Sequence, residues 1–573
     1  MLGLGNIRYF TMTHTGRLRG DLLKELKEAT TWEEYQETAY TLDELLGNME
    51  WRREPAGPYA YETIQSRIEA LKAAWETRQY FYIIDMVRQS SRGFGRISKT
   101  ILYRKAFSGT KYNIETYVCL LAQSLGRIVD SWPHGLPMPD GSVKTMPLQD
   151  LMDFAVQARQ THGRTALVLK GGAAFGMAHL GVAKALRRHG LLPRLIVGDS
   201  TGALIAALIC TRSEDELDGV LDGSSINLDA FATRNSQESL EKPIGLPRSI
   251  YLAWKRVRRW YREGHVLDPQ VIVECARANL GSVTFREAYE RTGRILNIVV
   301  YEEQTSSVLN YLSAPDITIW SAAVASSCRN ELLYGAIAKN ILTRKNIYDV
   351  EQRRGLLFDL WKPCDPTNMT AIFDKTIGPI FHINHYIISQ ANPSIFVFFQ
   401  KTIPSPFIWS FAGVYERLLA WVGLFVAWII DTLARISWAS GSIPPSVARF
   451  FTSDHYQDLH VTLTPNTKLS DMIQAVQYPT VTNIRNWALC GERATWPAIQ
   501  LLRMRLMLEV ELDRCYNLVR AVYIVLFLEM NVGMGETLPK KLKAKYGTAL
   551  GKMKTAGQQK IREYTTGSNS EFQ

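Results

Sequence analysis

Seven cysteines (119, 210, 275, 328, 364, 490 and 515) are scattered through 573 residues with no Cys-x-x-Cys pair. An odd, dispersed set argues against a disulfide framework and a zinc ribbon, and fits a reducing compartment. An early apolar run is also missing. Arg8 and Arg17 are followed by nothing long enough for a signal peptide, so an intracellular protein is expected. Long hydrophobic runs are scarce elsewhere. In the most apolar region, 402–448, Thr402–Tyr415 is uncharged for 14 residues and Leu418–Ile430 for 13, with Glu416 and Arg417 between. Neither reaches the roughly 20 residues of a membrane-crossing helix. Joined, they make at most one imperfect span. Pro404, Pro406 and the central charges favour a shallow hairpin or interfacial helices, against the plainer reading of a buried core helix.

Charge of one sign is not extreme. The net charge is +11, and residues 536–573 hold eight Lys/Arg against three Asp/Glu, so a solvated tail supplies +5 of it. Net charge alone therefore does not point to nucleic acid. With 46% hydrophobic and 21% charged residues, wholesale disorder, collagen-like and coiled-coil chains are excluded. At roughly 100–200 residues per domain, this length suggests about three to five units.

Residues 20–135 read as helical. Ile64, Ile68, Leu71 and Trp75 form one amphipathic stripe, and Trp32, Tyr35, Ala39, Leu42 and Leu46 another. A Pro- and Gly-rich linker follows at 131–148. The pattern then changes. An apolar strand at Thr165–Lys170 enters Gly171-Gly172-Ala173-Ala174-Phe175-Gly176, and a helix from Met177 to Arg188 is capped by Gly190. A second apolar run, Leu191–Val197, leads to Gly198-Asp199-Ser200-Thr201-Gly202 and the apolar helix Ala203–Cys210. This order predicts an α/β fold with parallel strands. Further strands are expected at Ile295–Tyr301 and Tyr386–Ser389. Arg248–Arg262 predicts a helix with Ile250, Trp254, Val257 and Tyr261 on one face, flanked by Lys255, Arg256, Arg258, Arg259 and Arg262. That composition suits anionic lipid, nucleic acid or an ordinary surface helix.

The chemistry concentrates at the serine. In Gly-x-Ser-x-Gly, a strand turns into a helix so sharply that Gly198 and Gly202 must lack side chains, and the serine oxygen projects at the helix N-terminus. Roughly 0.2 such matches are expected by chance in a chain this long; the strand–turn–helix context is what makes Ser200 a nucleophile candidate. The Gly171–Gly176 turn ends the neighbouring parallel strand, so its N–H groups are candidates for holding an oxyanion. A dinucleotide-binding reading of the same turn, with Asp199 as its acid, is spoiled by Ala173 where Gly-x-Gly-x-x-Gly needs glycine. The base stays open on these grounds. A triad would use Ser200, Asp365 and His382 or His385; alternatively a carboxylate takes the serine proton directly. His382 and His385 have no third ligand beside them, so no metal site is expected.

These motifs, with others spread over most of the chain, resemble the patatin-like lipases, in particular the large intracellular triacylglycerol lipases of fungal and plant lipid droplets. Upstream landmarks run from Ala29-Thr30-Thr31-Trp32-Glu33-Glu34-Tyr35 through Thr41-Leu42-Asp43 to Ser108-Gly109-Thr110-Lys111. Downstream ones are His179-Leu180-Gly181-Val182, Trp320-Ser321-Ala322-Ala323, Ser389-Gln390-Ala391-Asn392-Pro393 and Gly491-Glu492-Arg493-Ala494-Thr495-Trp496-Pro497.

The resemblance implies a three-layer α/β/α catalytic domain with a mainly parallel sheet at 160–395, after a helical domain and linker at 1–150. A lipid-associated segment at 402–448, a C-terminal extension at 450–535 and a basic tail at 536–573 complete the expected organisation. It also implies a Ser200–Asp365 dyad, an oxyanion hole at Gly171, Gly172, Ala173 and Gly176, and no cofactor. The implied substrate is triacylglycerol or phospholipid, cleaved through an acyl-enzyme with transacylation open, at a lipid-droplet or endoplasmic reticulum membrane. Nucleic acid is not an expected partner.

The segment after Cys328 departs from the family pattern. Asp365 is followed by Pro366-Thr367 in place of Gly-Ser, which restricts Asp365 to extended backbone. Asp359 and Asp374 are the reserve acids, and a catalytically silent lipid-surface scaffold is the alternative function.

Overall fold

A computed structural model describes residues 3–55, 57, 59–91, 100–103, 105–131, 136–137, 142–144, 147–240, 248–263, 268–302, 305–327, 341–345, 351–353, 376–391, 432, 461–463, 465 and 479–532. The chain forms two compact units, Met1–Arg164 with Pro497–Gln573, and Thr165–Trp496.

The first unit is helical: α1 (Gly3–Glu28), α2 (Trp32–Leu45), α3 (Asn48–Arg53), α4 (Tyr61–Glu76), α5 (Tyr80–Ser91), α6 (Tyr112–Ser131), α7 (Leu148–His162) and α17 (Ile499–Val532). α2 starts at a capping box: the Thr31 hydroxyl accepts from the Glu34 N–H at 3.2 Å, and the Glu34 carboxylate accepts from the Thr31 N–H at 3.4 Å. It buries Tyr35, Ala39 and Leu42, while Trp32 and Leu46 of the expected stripe are half-buried. α4 buries Ile64, Ile68, Leu71 and Ala74. Trp75 sits at the edge instead, because its indole N–H needs a partner and donates to Ser124 Oγ at 2.7 Å. Ile83, Leu121, Leu125, Phe154, Leu508 and Leu512 share one apolar core.

A buried polar cluster closes the loop before α6. Asp43 accepts from the N–H groups of Phe107 and Ser108, the Ser108 hydroxyl and the Asn48 amide. Arg52 pairs with both Glu115 oxygens at 3.1–3.2 Å and donates to the Thr110 carbonyl.

The second unit is built on a six-stranded sheet of β1 (Arg164–Lys170), β2 (Leu195–Asp199), β3 (Ile295–Glu302), β4 (Thr305–Leu309), β5 (Ile383–Gln390) and β6 (Val461–Leu463), in the order β6-β5-β1-β2-β3-β4. β6 with β5, β1 with β2 and β2 with β3 are parallel; β3 with β4 is antiparallel. β2 is buried throughout and β1 everywhere beyond Arg164, so both sheet faces are covered, as in a three-layer α/β/α fold. Its helices are α8 (Ala178–Arg188), α9 (Thr201–Thr211), α10 (Glu214–Leu221), α11 (Asp229–Leu240), α12 (Arg248–Glu263), α13 (Pro269–Leu280), α14 (Phe285–Thr292), α15 (Ile319–Ser327) and α16 (Val481–Thr495), with a short helix at Gly378–Phe381.

Two sequence expectations shift. α8 ends as foreseen, with Gly190 at φ 66° and the Leu191 N–H bonded to the Leu186 carbonyl at 2.8 Å. The next strand, however, begins at Leu195 rather than Leu191, because Leu191 closes the helix and Pro193 has no N–H to give a ladder. The 450–535 segment is shared: Val461–Leu463 adds a sheet strand, α16 lies in the second unit and α17 in the first. The break falls at Trp496-Pro497, where proline ends α16. The expected lipid-associated segment 402–448, apart from Thr432, and the 536–573 tail lie outside the described residues. Among the described residues, no helix is long and apolar enough to cross a membrane.

Candidate active site

β1 and β2 pair in register from Ala166 opposite Leu195 to Lys170 opposite Asp199, so they finish side by side. At the end of β2 the chain reverses through Ser200 directly into α9. Ser200 holds φ 56° and ψ −128°, a conformation that costs a non-glycine residue about 1–3 kcal/mol. The flanking glycines make this reversal possible. A Cβ on Gly198 would lie 2.4 Å from Ala203 Cα, and one on Gly202 2.1 Å from the Leu169 carbonyl oxygen.

The strained peptide is gripped by the end of α15. The Ser200 N–H donates to Ser326 Oγ at 2.9 Å, and the Ser327 hydroxyl donates to the Ser200 carbonyl at 3.2 Å. That carbonyl also accepts from the Ala203 N–H at 2.9 Å. Ser200 itself is half-buried, so its side chain is not sealed into the core.

The glycine turn lies against this reversal. Gly171 and Gly172 have φ 66° and 115°, and the chain then makes one tight helical turn, Ala173–Met177, before α8. A Cβ on Gly176 would come within 2.8 Å of Thr201 Cγ2. Only glycine lets the two turns approach this closely. The Gly171 N–H donates to the Asp199 carbonyl at 3.1 Å, and the Gly176 N–H to the Gly172 carbonyl at 3.0 Å. Two of the four expected oxyanion residues thus spend their N–H groups within the fold. The N–H groups that open a helical turn have no partner inside it, which here means Gly172, Ala173 and Ala174.

His179 supports this turn from α8. It is fully buried, with Nε2 3.3 Å from the Gly171 carbonyl and Nδ1 2.7 Å from Ser389 Oγ. A carbonyl can only accept, so the Nε2 proton faces Gly171 and Nδ1 accepts from the Ser389 hydroxyl. Burial pushes the imidazole pKa down to about 4, which leaves it neutral near pH 7. At the end of β5, the Ala391 N–H donates to the Lys170 carbonyl at 3.3 Å.

Comparison with known proteins gives the arrangement a lineage. Residues 167–328 match the patatin-like phospholipase family, and residues 11–147 match a domain of unknown function, DUF3336. The chain is 32% identical over 499 residues to the triacylglycerol lipase ptl1 of Schizosaccharomyces pombe, covering 85% of this chain and 83% of that protein. It is 29% identical to the triacylglycerol lipase ptl2 of the same organism, over 86% of this chain and 75% of that protein. The chain belongs to the patatin-like phospholipase family. It is accordingly a carboxylic ester hydrolase by kinship. A patatin-like phospholipase domain-containing protein of Aspergillus niger is 28% identical over 87% of this chain and 65% of its own length. Among solved structures, the type III effector protein ExoU aligns with a TM-score of 0.20 at 14% identity, covering 68% of this chain and 69% of that one, too loose a match to carry an argument.

Within this patatin-like unit, the expected site residues divide. Gly171, Gly172, Ala173, Gly176, Gly198, Ser200 and Gly202 come together at the C-terminal ends of β1 and β2. Asp365, Asp359 and Asp374 lie outside the described residues. The triad alternative fails on distance. His385 Nδ1 is 3.3 Å from the Thr165 hydroxyl, at the start of β1. Five residues of strand, about 16 Å, separate Thr165 from the Lys170 end beside Ser200. His382 precedes it, exposed and at φ 54°, as the cap of the Gly378–Phe381 helix.

Among the described residues, no cluster of three His, Cys, Asp or Glu could hold a metal ion. Sequence reasoning passed over Ser326, Ser327 and the roles of His179 and Ser389. Two of them carried a signal: His179 and Ser389 each open a family landmark, and Ser389 also ends an expected strand, where sites in open α/β sheets gather.

Proposed function

We propose that the chain is an intracellular serine hydrolase of lipid esters, acting on triacylglycerol or phospholipid at a lipid-droplet or endoplasmic reticulum surface. The observation that carries this reading is Ser200, at positive φ on a strand-to-helix reversal, with a glycine turn packed beside it. Asp365 accepts the Ser200 proton as the hydroxyl attacks the ester carbonyl. The N–H groups of Gly172 and Ala173 hold the developing oxyanion, while Gly171 and Gly176 shape the turn. The alcohol leaves with the proton, and water, activated by the same carboxylate, releases the fatty acid from the acyl-enzyme. A second lipid alcohol in place of water gives transacylation. The named substrates of ptl1 and ptl2 support triacylglycerol as the first to be tried. No cofactor enters this route.

The experiment is fluorophosphonate labelling with mapping of the modified residue, beside turnover of emulsified triacylglycerol and of phospholipid vesicles. Labelling at Ser200, with turnover lost in Ser200→Ala and in Asp365→Asn, is the expected result. Equal turnover in wild type and Ser200→Ala refutes the enzyme. Loss in Ser200→Ala alone moves the base away from Asp365.

A second reading, a lipid-surface scaffold without turnover, is favoured by Pro366 after Asp365, which removes an N–H and restrains the carboxylate. It predicts no labelling of Ser200.

A further inference from the structure

Among the described residues, α12 is the most basic helix of the second unit: Arg248, Lys255, Arg256, Arg258, Arg259 and Arg262 stand against the single acid Glu263. Its outward side is unusual. Trp254, Arg258, Tyr261 and Arg262 are all exposed, and their spacing of i, i+4, i+7 and i+8 places them on one stripe. Trp254 is 53% exposed and Tyr261 86% exposed, among the large hydrophobic residues most open to solvent. The Arg258 guanidinium lies 5.2 Å from the Trp254 ring centroid. Tyr251, one turn earlier on the same stripe, is buried with its ring centroid 6.4 Å from that of Trp254, so the open part of the stripe runs from Trp254 to Arg262. Glu263 pairs with Arg259 at 3.5 Å, off the stripe.

An ordinary solvated face interleaves charges of both signs and hides its large aromatics. Here aromatic rings and guanidinium groups alternate along one exposed line. Water solvates the guanidinium groups but not the rings. A headgroup layer suits both, since Trp and Tyr rings settle at that depth and basic side chains are drawn to anionic lipid.

We propose that α12 docks the second unit on an anionic lipid surface, with Trp254 and Tyr261 at headgroup level and Arg258 and Arg262 on lipid phosphates. The choice of lipid over nucleic acid rests on the lipid-ester reading of the site. The docking itself uses no residue of that site.

The test is co-sedimentation of the full chain with phosphatidylcholine vesicles, with and without phosphatidylserine. It compares wild type with the pairs Trp254→Ala/Tyr261→Ala and Arg258→Glu/Arg262→Glu, beside hydrolysis of a water-soluble short-chain ester. Wild type is expected to prefer the phosphatidylserine vesicles and to lose that preference as salt rises. Each pair should weaken binding by about tenfold or more, with soluble-ester turnover unchanged. The arginine pair, exposed on both positions, guards against a folding defect in the aromatic pair. Binding indifferent to phosphatidylserine, or unchanged in both pairs, overturns the proposal. So does loss of oligonucleotide binding or of self-association in the arginine pair while vesicle binding persists. If no ester is cleaved yet the vesicle pattern holds, the enzymatic reading falls and the docking stands. If esters are cleaved and the vesicles do not discriminate, the docking falls alone.

Discussion

In the helical unit the groups that fasten the 107–110 loop are mainly charged, whereas those that grip Ser200 and the glycine turn are neutral. Asp43, Arg52 and Glu115 fasten the 107–110 loop to α2, α3 and α6. Ser326, Ser327, Ser389 and an uncharged His179 hold the other set. A buried charge network tolerates one arrangement of its partners and penalises every other, which suits a loop that has to be placed once and kept. Hydroxyls and a neutral imidazole fix a backbone at lower energetic stakes. Under the proposed mechanism they also leave no extra fixed charge where negative charge develops. One cluster spends polarity on placing a loop, and the other on aiming a peptide.

The sharpest way to break this contrast is to remove the aimed group. Ser200→Ala should lower turnover of a soluble ester by at least about four orders of magnitude, with little change in the urea midpoint. A large stability loss would mean that Ser200 is architectural after all.

The opposite signature is expected from Arg52→Met. It leaves Glu115 partly buried without its guanidinium, and burial already raises the carboxyl pKa despite Arg52. Stability should fall by about 3–5 kcal/mol, read by urea denaturation. The double variant Arg52→Met/Glu115→Leu should recover most of it, because no charge is then stranded.

His179 yields a pH-dependent version of the comparison. Its folded-state pKa, about 4, lies below the ordinary histidine value. The unfolded chain therefore binds a proton that the folded chain refuses, and stability rises with pH through this window. The contribution is complete above about pH 6.5 and falls away as pH drops toward 4, by roughly 3 kcal/mol in all. His179→Gln should flatten stability between pH 6.5 and 4 relative to wild type, in a series of thermal scans. An unchanged slope would assign the acid sensitivity elsewhere.

Ser326→Ala is expected to be milder. It strands the Ser200 N–H, a loss of about 1–3 kcal/mol. If Ser326 is a positioning residue, the loss falls on kcat, by about tenfold or more, with KM unchanged. A matched fall in thermal stability with kcat intact would make Ser326 a packing residue only.

What could be read in advance follows from how far apart the partners lie. The elbow, the Gly190 cap and the amphipathic stripes are encoded within a few residues, and each forms close to where its pattern stands. The strand start at Leu195 was misplaced because apolarity ran through Leu191 and Leu192, while Pro193 and the closing of α8 decided the boundary. The grip on Ser200 comes from residues 126 and 127 positions away, and His179 meets Ser389 across 210. Nothing local marks Ser326 and Ser327; the packing of α15 against α9 brings them in. His385 fails as a base for the same reason. Its place in the Ser…Asp…His chain order hid that it stands at the far end of β1. Chain order admits Asp365 only as the acid of a triad; its role as the direct base comes from the resemblance.

The smallest effect isolates the strain itself. Ser200→Ala and Ser200→Gly both delete the hydroxyl, so neither should turn over ester. They differ in the backbone: alanine keeps the penalty of φ 56°, whereas glycine adopts that angle freely. Glycine also gains disorder in the unfolded chain, which offsets part of the relief. Ser200→Gly should therefore be more stable than Ser200→Ala by about 1 kcal/mol, measured by paired urea titrations. In a Ser326→Ala background the gap should shrink, because a peptide no longer held at Ser200 N–H relaxes part of the strain before glycine can. An undiminished gap would show that the reversal is imposed by β2 and α9 rather than by the hydroxyl grip.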